Sequence, residues 1–146
     1  MNRITLLLVA ACLMIPTESA RAEKAPLSKK QLEKTATHIV VGKVKAIYSR
    51  LEREGWYEYK RYVAEVDVSK HEKGDEEAKI MYVRYFDVRW KGLGPMPPGP
   101  GGHWPAPEVG ESYRFYLAKN AYDGFASKND DGGFNVIYGN GIQKVD

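Results

Sequence analysis

The sequence predicts a mainly β domain in which five strands close into a small Greek-key barrel behind a short N-terminal helix. Apolar and polar side chains alternate along several segments after residue 38, and turn-forming residues separate these segments. A helix-capping motif stands just before the first segment. Closure into a barrel removes exposed strand edges from a chain with few other covering elements. A β-sandwich is the alternative, but it usually has about seven strands.

Residues 1–22 are predicted to be a secretory signal peptide. A basic start that ends at Arg3 precedes an apolar stretch from Ile4 to Ile15, and Ala20-Arg21-Ala22 is a small-x-small site for cleavage. The apolar stretch is too short to span a bilayer, which needs roughly 20 residues. We therefore expect no transmembrane segment, a single domain over residues 23–146, and a secreted or periplasmic location.

The leader also contains the one cysteine of the chain, Cys12. Because Val9-Ala10-Ala11-Cys12 loosely resembles a lipobox, a lipoprotein anchored at Cys12 is the alternative location. Cleavage after Ala22 leaves a domain without a disulfide, a thiolate nucleophile or a cysteine metal ligand. It also lowers the formal charge from +3 to +2, which gives little support to a nucleic-acid partner.

The first elements are a helix and a strand interrupted by glycine. Ser28-Lys29-Lys30-Gln31 has the form of a capping box, and a short helix is expected through about Thr35, with Leu32 as its apolar contact. From Ile39 the period changes to two. Gly42 lies in the middle of this strand, where a strand can coil sharply or be approached closely by another chain segment.

The second and third strands are expected over residues 62–68 and 79–90. Tyr57 and Tyr59 have the parity opposite to Tyr62, which suggests a bulge near Lys60. The charged segment from Ser49 to Trp56 is expected to be an exposed hairpin connection. The third strand is apolar on both faces, as in a central or strongly coiled strand.

A proline- and glycine-rich segment over residues 92–107, named here the Pro/Gly loop, must lie on the surface because neither a helix nor a central strand tolerates this composition. The fourth strand follows it, with Tyr113, Phe115 and Leu117 facing the core. A polar connection over 120–133 leads to a fifth strand at about 134–138, and the remaining residues are expected to be a brief tail.

The order of these segments resembles that of netrin-like domains, which include tissue inhibitors of metalloproteinases. The resemblance covers roughly Ala36 to Leu117, and its motifs are the opening strand Ala36–Val44, the strand and Lys-Gly turn Val66–Gly74, and the Gly-Glu-x-Tyr strand Val109–Leu117. It implies an OB-like barrel. In the metalloproteinase inhibitors an N-terminal cysteine chelates the zinc of the target. The mature chain expected here has no cysteine, so no functional residue carries over.

Aromatic residues among cations indicate a binding surface rather than a catalytic site. The first candidate segment is Trp56 to Tyr62, and the second is the Pro/Gly loop, whose prolines lower the entropy lost on docking. The candidate residues are Trp56, Tyr57, Tyr59, Arg61, Tyr62, Met96, His103 and Trp104. They suit a protein, peptide or saccharide partner. Alternatively, the tyrosines cover the barrel, and the loop folds back so that Trp104 packs on it.

No catalytic, metal or cofactor motif is evident. His38, His71 and His103 lack a recognised ligand spacing, and no serine lies in a nucleophile elbow. The leading hypothesis is therefore a non-enzymatic binding module that needs no cofactor. The alternative is a small secreted hydrolase or carbohydrate-processing enzyme whose site assembles in three dimensions, with His103, Glu108 and Asp123 as its candidate residues.

Overall fold

A computed structural model describes residues 25–99, 101–119 and 132–146. Within these residues the elements are α1 Lys29–Thr35, β1 His38–Glu54, β2 Tyr57–Lys73, β3 Ile80–Trp90, β4 Ser112–Lys119, β5 Phe134–Val136 and β6 Ile142–Lys144. The predicted signal peptide and most of the connection expected at 120–133 lie outside the described residues.

The strands pair around a closed ring. β1 pairs antiparallel with both β2 and β4, β2 pairs with β3, and β4 pairs with β5. β3 and β5 run parallel, and β6 extends the sheet along β4. The chain is mainly β, as predicted. The expectation of five strands was wrong by one, because residues 142–144 pair with Tyr113, Arg114 and Phe115 instead of forming a free tail.

The inner faces of the ring form the main core. The alternation predicted for the fourth strand is confirmed, since Tyr113, Phe115 and Leu117 of β4 are all buried. They pack with inward side chains of the other strands, which include Val40, Val44, Ala64, Val66, Met81, Val83, Tyr85, Val136 and Ile142. A core of this composition accounts for a stable domain without a disulfide, because burial of apolar area is the dominant favourable term in folding.

Helix α1 covers the outer side of the β1–β4 pair. The predicted capping box is present: Gln31 N donates to Ser28 Oγ, and Ser28 N donates to the Gln31 side chain. Leu32 is fully buried in a second apolar cluster with Ile39 and Tyr116. The ammonium of Lys73 donates to backbone oxygens at the C-terminal end of the helix, where a cation suits the helix dipole.

The β1–β2 hairpin is longer and more regular than expected. The predicted bulge near Lys60 is wrong, because the register is continuous from the pair Ser49–Tyr62 to the pair Glu54–Tyr57. The register shifts lie nearer the start of β1, one of them between Val44 and Ala46. Successive strand residues point to opposite faces of a sheet. Tyr57 differs in parity from Tyr62 because its side chain lies on the outer face, and no bulge is needed to explain it.

The segment expected as a hairpin connection also differs, since residues 49–54 continue β1 and the turn is Gly55-Trp56. Gly55 has φ +58°, which is the conformation that the first position of a type II′ hairpin turn requires. Charged residues sustain the strand here because they pair across it, as Glu52 does with Arg61 at 2.6 Å.

A bidentate ion pair joins β2 to β4 across β1. Arg114 donates from Nε to Glu72 Oε2 at 2.8 Å and from Nη2 to Glu72 Oε1 at 3.1 Å. This hydrogen bonding lowers the pKa of Glu72 from its ordinary value of 4.5, and Lys70 adds to the effect. The pair therefore stabilises the fold while Glu72 is ionised.

We expect Glu72→Gln to lower the free energy of unfolding by about 1 kcal/mol at pH 7. A depressed carboxyl pKa contributes stability that is present above the unfolded value and is lost as pH falls through the folded value. The difference between the two proteins should thus shrink below about pH 4.5. Urea unfolding at several pH values measures it; a difference that stays constant down to pH 3 would contradict the assignment.

Candidate binding cleft

The tip of the β1–β2 hairpin and the end of β3 bring aromatic rings together on the outer face of the sheet. Tyr57 lies directly opposite Glu54 on one side and Trp90 on the other. The rings of Tyr57 and Trp90 are 4.9 Å apart and tilted by 57°, and Tyr59 stacks on Tyr57 at 6.0 Å. Both distances fall in the range of favourable aromatic pairs.

These rings line an open, shallow cleft, named here the aromatic cleft. Its lining residues are Glu54, Gly55, Trp56, Tyr57, Tyr59, Trp90 and Pro97. The volume is about 570 Å³, and because the cleft is open to solvent it can seat a side chain or a small group without enclosing it. The hairpin turn supplies Trp56, whose side chain is 63% exposed. An indole held in this way offers a flat apolar surface to an incoming group.

The Pro/Gly loop forms one wall of the cleft. Trp90 donates from its indole N–H to the carbonyl oxygen of Gly94 at 3.2 Å, so the loop begins by wrapping around this ring. A Cβ atom at Gly92 would lie 2.1 Å from the same indole, so a larger residue there would have to displace the ring. Pro97 then lies on the cleft. The two segments proposed from the sequence therefore meet at one place.

The structure separates the predicted surface residues into two groups. Trp56 and Tyr57 lie in the cleft, with Tyr59 beneath them at 6% exposure. Tyr62 stands apart, because it stacks on Tyr85 at 4.7 Å with the rings almost parallel and packs against the main core. Burial and the neighbouring tyrosines raise the pKa of Tyr85 far above its ordinary value, so it stays neutral.

Within the Pro/Gly loop, Met96 and Trp104 point away from the core. Trp104 is 79% exposed, so the alternative in which its ring packs on the barrel is not realised. Its backbone N–H nevertheless donates to the carbonyl oxygen of Gly139 at 2.7 Å. The loop does fold back, but its backbone and a different side chain hold it in place.

That side chain is His103. Its Nδ1 accepts the backbone N–H of Phe86 at 3.1 Å, and its Nε2–H donates to the carbonyl oxygen of Val136 at 3.1 Å. The backbone N–H of His103 donates to Phe86 O, and Gly102 pairs with Asp87. The ring thus bridges β3 and β5 and anchors the loop over the outer edge of β3, an edge that would otherwise be open to pairing.

Trp90 and Glu54 are the cleft side chains that lie outside both segments predicted from the sequence. Trp90 was evident as the end of a strand, and Glu54 as part of a charged segment. Their role depends on the register that places both beside Tyr57, which no local pattern encodes. One signal in the sequence pointed to this contact: Tyr57 and Trp90 are aromatic residues that point outward from consecutive strands.

A polar cluster lies at the end of β1 opposite to the aromatic cleft. His38, which is buried, donates from Nε2 to Asp75 at 3.1 Å, and its Nδ1 is hydrogen-bonded to the hydroxyl of Thr37 at 2.8 Å. The hydrogen bond from His38 lowers the pKa of Asp75. Thr37 Oγ1 also accepts the N–H of Lys119 at 3.1 Å. The cluster therefore ties the start of β1 to β4 and to the loop after β2.

The residues considered for a hydrolytic site do not converge in the part of the chain that the structure describes. Both ring nitrogens of His103 bond to backbone groups, and Glu108 is exposed. Asp123 lies outside the described residues. Over residues 25–99, 101–119 and 132–146, no group of three or more histidine, cysteine or acidic side chains is arranged to hold a metal ion. Within the same ranges, no helix has the length and apolar character needed to cross a membrane.

Comparison of the chain with protein-family models, with curated proteins and with solved structures found no significant match.

Proposed function

We propose that this protein is a non-enzymatic, extracytoplasmic binding module whose ligand site is the aromatic cleft. The observation that carries the proposal is the meeting of the hairpin tip and the Pro/Gly loop around Trp56, Tyr57 and Trp90. Exposed aromatic rings on a rigid strand framework bind ligands with little loss of side-chain entropy. The ligand is a protein, a peptide or a saccharide, and the leader predicted over residues 1–22 supports the compartment.

The architecture proposed for the module is an OB-like Greek-key barrel. Its support is the ring of pairings, in which β1 contacts β2 and β4 while β5 lies parallel to β3. OB-type barrels bind their ligands on the face of the second and third strands and on the loop between the first two. The aromatic cleft occupies this region. The netrin-like relationship is proposed on the same grounds and adds no site residue.

We expect Trp56→Ala to weaken binding strongly without loss of fold. Trp56 is exposed, so its removal should change the free energy of unfolding by less than about 0.5 kcal/mol. Loss of a stacking aromatic ring should weaken binding about tenfold or more. The measurement is binding of the protein, expressed from the full sequence, to arrays of immobilised peptides and oligosaccharides.

Trp104→Ala is the matched control, because Trp104 is an exposed tryptophan outside the cleft. Binding should survive this substitution. If the protein binds every ligand as well after Trp56→Ala as before it, the cleft is not the site. The same conclusion follows if Trp104→Ala weakens binding as much as Trp56→Ala does. If no array member binds, the proposal also loses its support.

A further inference from the structure

On the outer face of the β1–β2 hairpin, one cross-strand pair of residues shows how the hairpin holds a guanidinium group. Glu52 and Tyr59 are directly opposite each other on β1 and β2. Arg61 donates from Nε to Glu52 Oε2 at 2.6 Å, and its guanidinium carbon lies 5.8 Å from the centre of the Tyr59 ring. The cation is therefore held by a carboxylate and an aromatic face together, an arrangement that combines an ion pair with a cation–π contact.

The next cross-strand pair on this face, nearer the turn, has the same residue types but holds no cation. Glu54 and Tyr57 are directly opposite each other, two residues further toward the turn. Trp56 and Trp90 add two more rings beside them. In the described part of the chain, the carboxylate of Glu54 takes part in no hydrogen bond or ion pair, and no cation lies over the ring of Tyr57.

The neighbouring cations already have partners. Arg53 and Lys91 each lie 3.5 Å from Glu58, which points to the other face of the hairpin. Arg50, like Arg61, pairs with Glu52. The cleft therefore presents an uncompensated carboxylate among aromatic faces, which is the chemistry that attracts an organic cation from outside the chain.

We infer that the aromatic cleft binds an arginine side chain of a peptide or protein partner, with Glu54 accepting hydrogen bonds from the guanidinium and Trp56 and Tyr57 stacking on its face. This inference rests on the proposed function and names its ligand. Arginine suits the site better than lysine because its planar group can stack and donate a bidentate pair at once. A saccharide would use the rings and donate hydroxyl hydrogen bonds to the exposed carboxylate of Glu54, but it would bring no opposite charge to it.

The test is a titration followed by NMR with the capped peptide acetyl-Gly-Arg-Gly-amide. We expect the indole N–H signals of Trp56 and Trp90 to shift, while that of Trp104 stays in place as an internal reference. The same peptide with citrulline, which is neutral and has nearly the same shape, should bind about tenfold more weakly. The affinity for the arginine peptide should also fall as salt is raised, because the charges are partly exposed.

Two carboxylate variants provide the decisive comparison. Glu54→Gln should weaken the arginine peptide about tenfold and leave the citrulline peptide unchanged. Glu77→Gln is the control, since Glu77 is an exposed glutamate in the loop before β3, at the far end of that strand from Trp90. It should change neither affinity.

Failure of the inference is distinguishable from failure of the proposed function. Equal binding of the arginine and citrulline peptides, or an affinity unaffected by Glu54→Gln, would overturn arginine recognition. Binding of a saccharide or of choline that depends on Trp56 but not on Glu54 would also overturn arginine recognition. In that case the cleft would remain a binding site. If no peptide, saccharide or choline moves the Trp56 signal, both proposals fall.

Discussion

Gly42→Ala is expected to destabilise the protein by about 3 kcal/mol, because this position has no room for a methyl group. A Cβ atom at Gly42 would lie 2.6 Å from the carbonyl oxygen of Asp67 and 2.6 Å from Cγ1 of Val66. One obstacle is backbone of the paired strand and the other belongs to a fully buried core residue. Neither can move without disturbing the β1–β2 pairing.

Urea unfolding followed by circular dichroism measures this effect, with Gly99→Ala as the matched control. Among the residues that the structure describes, a Cβ atom at Gly99 would meet nothing closer than Pro97 O at 4.0 Å, so this variant should unfold within about 0.5 kcal/mol of the parent protein. Equal stability of the two variants would contradict the close packing described at Gly42. If Gly42→Ala does not fold at all, the steric argument is supported in its stronger form.

The second large effect is expected for His103→Ala, at about 3 kcal/mol. The substitution leaves the N–H of Phe86 and the carbonyl oxygen of Val136 without the ring that satisfies them. Each unsatisfied buried group costs about 1–3 kcal/mol. It also removes the ring that packs edge-on against Phe86 at 4.6 Å. The Pro/Gly loop should then detach from the edge of β3.

Trp104→Ala tests the same loop one residue further on and should be nearly neutral, because Trp104 is exposed. Thermal unfolding gives the stabilities, and hydrogen exchange at Phe86 reports detachment of the loop directly. Two neighbouring substitutions with opposite outcomes would show that the loop is anchored by its histidine. Faster exchange at Phe86 in Trp104→Ala, or none in His103→Ala, would contradict this anchoring.

Local patterns were sufficient for several elements of the fold. The capping box at Ser28 and the alternation of Tyr113, Phe115 and Leu117 predicted the helix start and a core strand. Both signals depend on residues within a few positions of each other. The parity of Tyr57 was read correctly, but the bulge inferred from it was wrong, because both faces of this hairpin carry aromatic side chains.

Pairings between distant segments were not predictable in the same way. The segment at 142–144 looked like a tail because three residues carry too weak an alternation, and pairing with β4 alone makes it a strand. Trp104 and His103 are neighbours with similar surroundings in the sequence. The partners that distinguish them, Phe86 and Val136, lie 17 and 33 residues from His103.

The sequence by itself determined that this chain is mainly β, where most strands run, and that the start of its aromatic segment at Trp56 and its Pro/Gly loop are surface features. These properties follow from the period-two geometry of a strand and from the backbone limits of proline and glycine. Only the tertiary structure decided that the two segments share one cleft, with Trp90 between them and Glu54 lacking a cation. Cross-strand register sets those contacts, and register is fixed by the packing of the whole sheet.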